Sequence, residues 1–138
     1  MTIAQYPMIV PLLVQVGLTL LVVMRLGLTR AFHIRKVGFQ TVLKDGFPSK
    51  IEQTSANLKH QFEAPVLFYV IALLFLNGLE TTLVALILAW AYVVLRIVHA
   101  GIQLTHNTIF PWRFGTFVLS MMALVGLYVI AIVQIVIS

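Results

Sequence analysis

Residues 64–95 read APVLFYVIALLFLNGLETTLVALILAWAYVVL, and this stretch decides the fold. It holds two uncharged runs, of 16 and 15 residues, with Glu63 before them, Glu80 between them and Arg96 after them. The short Asn-Gly-Leu-Glu link at 77–80 is typical of a tight connection between antiparallel helices. The stretch therefore predicts an apolar helical hairpin.

Longer uncharged runs lie on both sides of this hairpin. The 24 residues before Arg25 and the 25 residues after Arg113 carry no charge. A helix of that length spans about 36 Å, enough to cross a hydrocarbon core of about 30 Å. The two inner runs reach this length only if they extend past Glu63 and Arg96. We therefore predict transmembrane helices near 3–28, 50–78, 81–104 and 113–137, in one domain over 1–138.

The composition agrees with a membrane protein. Hydrophobic residues make up 61% of the 138 residues and charged residues 9%, whereas a soluble domain carries about 25% charged residues. This excludes a water-soluble globular domain. The chain has no cysteine, so it has no disulfide framework, thiolate metal site or cysteine nucleophile. The predicted fold class is an all-α, integral membrane four-helix bundle.

The placement of the charges predicts how the bundle is oriented. Basic residues concentrate in the 29–49 connection and just after it, and the outer hairpin has only Glu80. By the positive-inside rule the 29–49 connection is cytoplasmic and both termini lie on the other side. The pI near 10 is thus a topology signal, and no basic soluble face with interleaved aromatics predicts nucleic-acid binding. Ser49-x-x-Glu52 predicts a capping box at the start of the second helix.

Two charges interrupt the inner spans at matching depth. Glu63 is 15 residues from Gly78 and Arg96 is 16 residues from Glu80, so each lies about 23 Å from the outer hairpin. Because charges inside a membrane usually face a partner or a wet cavity, we predict that Glu63 and Arg96 form an ion pair. The same count places His60 level with His99.

Further polar residues follow these two along their helices. Arg96, His99 and Gln103 fall on one stripe of the third helix, and His60 lies one turn from Glu63. Together with Arg113 on the fourth helix, they predict a polar pocket that opens to the cytoplasm. A purely structural Glu63–Arg96 pair is the simpler alternative. No third ligand accompanies the two histidines, so a metal site is not predicted.

Three segments resemble the MAPEG family, the membrane-associated proteins of eicosanoid and glutathione metabolism. The first is Asn57-Leu-Lys-His-Gln-Phe-Glu-Ala-Pro-Val-Leu-Phe-Tyr69, which is similar to the helix 2 signature of bacterial members. The second is Leu95-Arg96-Ile-Val-His99 and the third is Pro111-Trp-Arg113. The helix count and the short outer hairpin also agree, so the resemblance covers the whole chain.

The resemblance implies a homotrimer that binds glutathione between protomers from the cytoplasmic side. Glu63 would then meet the ammonium group of glutathione, and Arg113 would act catalytically beside the sulfur, favouring the thiolate. A hydrophobic small molecule or lipid would enter from the membrane. The residues it implies for binding glutathione are Arg30, Lys59, His60, Glu63, Arg96, His99 and Gln103.

The sequence departs from the glutathione-using members at several positions. They carry Asn where this chain has His60 and usually Arg where it has Lys59, and tyrosines of the family are replaced by Gln103 and Phe117. These departures favour an alternative, a non-catalytic member of the fold that binds lipid or protein. A small proton-coupled exporter is a third hypothesis, but it needs an acidic residue in the first helix, which has none.

Overall fold

The computed structural model describes residues 6–106 and 109–138. Four stretches in these ranges are long and apolar enough to cross a membrane: Ile9–Val37, Ser49–Leu76, Leu83–Thr105 and Pro111–Ile137. The α-helices are α1 Ile9–Val37, α2 Phe39–Asp45, α3 Ser49–Gln61, α4 Ala64–Leu76, α5 Leu83–Thr105 and α6 Phe114–Ile137, and a π-helical turn, Ile109–Arg113, leads into α6.

The first helix is longer than predicted, and the 29–49 connection is mostly helical. α1 continues to Val37, and α2 fills much of the remaining connection. The prediction was wrong here because it ended the helix at residue 28, where the helix is just long enough to cross the membrane. Residues 29–37 contain no Gly or Pro to stop the helix, and Arg35 and Lys36 in the last turn complement its dipole. Gly38, at φ 87°, supplies the stop.

The second span is two helices rather than the one predicted over 50–78. α3 ends at Gln61 and α4 begins at Ala64, with Phe62 and Glu63 outside both helices. Pro65 explains the break, because it has no N–H to donate to the carbonyl of Gln61 and its ring clashes with that carbonyl. The start of α3 also differs from the prediction. Ser49 is already helical, Pro48 occupies the cap position, and no side-chain cap bond forms.

The half of the bundle next to the 77–82 link has an apolar core. The Phe68 and Tyr92 rings stack with centroids 4.7 Å apart at 20°, which joins α4 to α5. Ala85 and Ala89 are fully buried on α5, and small residues let membrane helices approach closely. A Cβ on Gly126 would lie 3.1 Å from a methyl of Leu88, so α6 packs tightly on α5 there.

Polar contacts join the 77–82 link to the end of α6. The backbone N–H of Glu80 donates to Gln134 Oε1 over 2.8 Å, and Gln134 Nε2 donates to the Glu80 carbonyl over 2.9 Å. Thr82 caps α5 by accepting from the Ala85 N–H. Many large apolar side chains face outward along the spans, such as Leu20, Leu67 and Val125, as expected of a surface in contact with lipid.

Candidate functional site

The break in the second span holds an imidazole–carboxylate pair. His60 Nδ1 lies 2.8 Å from Glu63 Oε2. The pair forms across three residues, because the chain leaves the helix at Phe62 and Glu63 and turns the carboxylate toward the last turn of α3. The side chains of His60 and Glu63 are 35% and 51% exposed in the single chain. The pair therefore lies at the surface of the chain, inside a candidate span.

The predicted Glu63–Arg96 ion pair is wrong. Arg96 Nη2 donates to the backbone carbonyl of His60 over 3.3 Å, and Glu63 pairs with His60 instead. His60 is already one turn away on the same chain segment, so it reaches the carboxylate without any constraint from helix packing. Arg96 is only 1% exposed, and its Nε has no hydrogen-bond partner in the described structure.

The predicted level of the two histidines agrees with the structure. The rings of His60 and His99 lie 6.4 Å apart at 84°. His99 Nδ1 lies 3.1 Å from the carbonyl oxygen of Arg113 and 3.3 Å from Thr116 Oγ1. Because a carbonyl only accepts, the contact with Arg113 places the proton of a neutral His99 on Nδ1. The π-helical turn presents that carbonyl to α5, so it ties the start of α6 to the histidine.

A cavity of about 300 Å³ lies beside these groups. Four of the predicted site residues line it, namely His60, Glu63, His99 and Arg113, with Phe114 and Phe117 forming apolar walls. The structure therefore brings an imidazole–carboxylate pair, a second imidazole and a guanidinium to one place. Among the residues described, no group of three or more His, Asp or Glu side chains is arranged to hold a metal ion.

The four other predicted binding residues, Arg30, Lys59, Arg96 and Gln103, lie outside this cavity lining. Arg96 is buried and donates to the His60 carbonyl. Arg30 donates through Nη2 to Ser55 Oγ over 3.2 Å and lies 4.9 Å from the centre of the Phe47 ring, so it joins α1 to α3. Lys59 is exposed on α3.

Gln103 belongs to a buried chain of amides that the sequence analysis did not predict. Gln15 Nε2 donates to Gln61 Oε1 over 3.1 Å, and Gln61 Nε2 donates to Asn57 Oδ1 over 3.3 Å. Asn57 Nδ2 in turn donates to Gln103 Oε1 over 3.0 Å. All four side chains are buried, so the chain links α1, α3 and α5. The signal was present in the i, i+4 spacing of Asn57 and Gln61 and in the isolated Gln15 of an apolar helix.

Comparison with family models gives one match, to the MAPEG family, over residues 8–133. The chain belongs to the MAPEG family. This agrees with the four apolar spans and confirms the predicted family and fold class. The chain is therefore an integral, multi-pass membrane protein of this family. Comparison with curated proteins and with solved structures gives no match.

Proposed function

We propose that this MAPEG protein binds glutathione in the cavity and uses it to conjugate or reduce a hydrophobic substrate. The observation that carries the proposal is the grouping of His60, Glu63, His99 and Arg113 around one cavity within the candidate spans. Ionisable residues at membrane depth are costly and mark functional sites.

The charges of the site match those of glutathione. The tripeptide carries two carboxylates, one ammonium group and a thiol. Glu63 uses Oε2 for His60, and a carboxylate has a second oxygen that can accept from an ammonium group. Arg113 offers a guanidinium that never loses its charge, which suits either a carboxylate or the thiolate. Lys59 and Arg30 lie outside the cavity lining of the single chain, and we propose that they meet the carboxylates of glutathione only across protomers.

The exposure of the pair supports an assembly. Glu63 is 51% exposed in the single chain, although it lies within a candidate span. A carboxylate that faces lipid inside the hydrocarbon core is energetically unfavourable. A neighbouring protomer that covers this face removes that cost, so we propose a homotrimer with the cavity at its subunit interfaces. The cavity then opens to the cytoplasm, and the apolar substrate arrives from the membrane.

Thermal unfolding of the detergent-purified protein tests glutathione binding. Because a ligand that binds only the folded state stabilises it, millimolar glutathione should raise the melting temperature of the unsubstituted protein. The rise should be lost in Glu63→Gln and in Arg113→Ala. It should persist in Glu80→Gln, a matched substitution in the outer hairpin. Absence of any rise in the unsubstituted protein would contradict the proposal.

A second candidate function is non-catalytic binding of lipid or protein in the same fold. The observation that favours it is the amide chain, because Gln103 is bonded to Asn57 and buried. Glutamine has no hydroxyl, and the amide of Gln103 is already bonded to Asn57. The tyrosine that the family resemblance implies at this position would instead offer a hydroxyl to the cavity. Phe117 likewise has no hydroxyl. A co-purified lipid, together with no conjugation of a panel of electrophiles, would support this function over the first.

A further inference from the structure

The contact between His60 and Glu63 determines which nitrogen of the imidazole is free. A carboxylate accepts hydrogen bonds and donates none, so the 2.8 Å contact places a proton on His60 Nδ1. In the neutral ring the lone pair is then on Nε2. An imidazole oriented by a carboxylate in this way is the arrangement by which enzymes take up a proton, since the carboxylate also stabilises the imidazolium that forms.

The other histidine of the cavity is placed differently. His99 is buried, and its Nδ1 contacts the Arg113 carbonyl, a neutral partner. His60 is 35% exposed and contacts an anion. His60 is therefore the imidazole that is both accessible and supported as a cation. The charged and titratable groups around it are Lys59 and Glu63 on its own span, Arg96 and His99 on α5, and Arg113 at the start of α6.

We propose that His60 is the general base of this site, which takes the thiol proton of glutathione on Nε2, with Glu63 as its positioning residue. The assignment rests on the proposed function. In the step, the S–H bond breaks, its electron pair stays on sulfur, and the proton forms an N–H bond on His60. The resulting thiolate pairs with the imidazolium and with Arg113. With an aromatic halide, the C–S bond then forms, the halide leaves, and His60 returns its proton to water.

This division of roles separates His60 from Arg113. A guanidinium can stabilise the thiolate by its charge, but it cannot accept the proton. An Asn in place of His60 can still donate a hydrogen bond to Glu63, although it can neither take up a proton nor become a cation. The His60→Asn protein therefore keeps the polar contact and loses the base. His33→Asn is the matched control, because His33 packs against Phe47 and does not line the cavity.

The test is the ultraviolet absorbance of the glutathione thiolate bound to the protein, followed against pH, with binding measured on the same samples by thermal shift. We expect bound thiolate at neutral pH in the unsubstituted protein and in His33→Asn. In His60→Asn we expect binding to persist and the neutral-pH thiolate fraction to fall about tenfold, since an adjacent cation is lost. The thiolate should then appear only nearer the pH at which free glutathione ionises.

The outcomes are distinguishable. If His60→Asn and the unsubstituted protein bind glutathione and give the same thiolate curve, the assignment of His60 is overturned and the proposed function stands. Bound glutathione that stays protonated at neutral pH in the unsubstituted protein would also overturn it. If the unsubstituted protein binds no glutathione, the proposed function fails and the assignment fails with it.

Discussion

The two halves of the second span are held against the neighbouring helices by different mixtures of polar and apolar contacts. α3 is held by hydrogen bonds, through Gln61 to Gln15 and through Asn57 to Gln103. α4 is held mostly by apolar packing, with Phe68 stacked on Tyr92, and makes one polar contact with α1, in which Tyr69 Oη lies 3.2 Å from Thr19 Oγ1. Lipid tails are as apolar as the side chains that face them, so there is little hydrophobic driving force between helices in a membrane. Close packing and interhelical hydrogen bonds therefore hold membrane helices together.

The difference between these halves locates the site. Buried amides have directional partners, so the α3 half sets the position of its neighbours and brings His60 next to His99. The α4 half has one such directional contact, between Tyr69 and Thr19, and packs otherwise through apolar side chains. The break at Phe62 and Glu63 lies between the two, which is where a carboxylate can leave the helix and turn toward the polar half.

The largest expected effect concerns which side of the membrane each half faces. We predict that α3 is at the cytoplasmic end and α4 at the other. The chain has no cysteine, so Lys44→Cys and Glu80→Cys each introduce a unique label site. In intact cells an impermeant maleimide should label Glu80→Cys and not Lys44→Cys, and lysis should expose the latter. The reverse pattern would invert the proposed orientation.

Removing the aromatic contact should be the most destabilising change within the bundle. Phe68→Ala leaves a cavity beneath Tyr92, and we expect a loss of about 3 kcal/mol in the free energy of unfolding. The measurement is reversible unfolding in mixed micelles. Phe32→Ala is the control, because Phe32 is largely exposed on α1 and its loss should change stability little. Equal losses in both variants would show that Phe68 contributes no specific packing.

Removing Asn57 from the amide chain should lower the free energy of unfolding somewhat less than Phe68→Ala does. Asn57→Leu leaves the amides of Gln61 and Gln103 without their partner, and we expect a loss of about 2 kcal/mol in unfolding free energy. Asn77→Leu serves as the control, since Asn77 is exposed and its side chain donates to the carbonyl of Leu73, four residues earlier in the chain. An unchanged or higher stability for Asn57→Leu would mean that the polar half is not held by this chain.

The smallest expected effect is a change in the angle between α3 and α4 at the break at Phe62 and Glu63. Pro65→Ala restores an N–H that can donate to the Gln61 carbonyl, so the two helices should align more closely. Spin labels at 52 and 74 should then move apart, with a stability change below about 1 kcal/mol. Pro48→Ala, which lies outside the labelled interval, should leave the distance unchanged. An unaltered distance in Pro65→Ala would assign the break to tertiary packing rather than to the proline.

The sequence predicted the spans well because membrane thickness imposes a length on uncharged runs. The prediction failed where a helix continues beyond the membrane, as α1 does by extending to Val37. Pro65 was visible in the sequence, but a proline in an apolar run predicts either a kink or a helix start, and only packing distinguishes these. Depth counting brought His60 level with His99, because antiparallel helices share one reference point at the hairpin.

Side-chain partners were less predictable than depth. Arg96 and Glu63 lie at similar levels, yet Arg96 is directed to the His60 carbonyl and Glu63 to the His60 ring. Level alone does not specify direction around a helix axis, and the break rotates Glu63 away from the helical stripe. The same limit applies to Gln103, which was predicted for the binding site and instead bonds Asn57.

The central claim is that the cavity at the break in the second span holds glutathione. The most direct test is equilibrium binding of radiolabelled glutathione to the detergent-purified protein, compared between Glu63→Gln and Glu80→Gln. We predict saturable binding to the unsubstituted protein and to Glu80→Gln, and at least a tenfold loss of affinity in Glu63→Gln, about 1.4 kcal/mol. Equal affinities in the two variants, or no saturable binding to the unsubstituted protein, would contradict the claim.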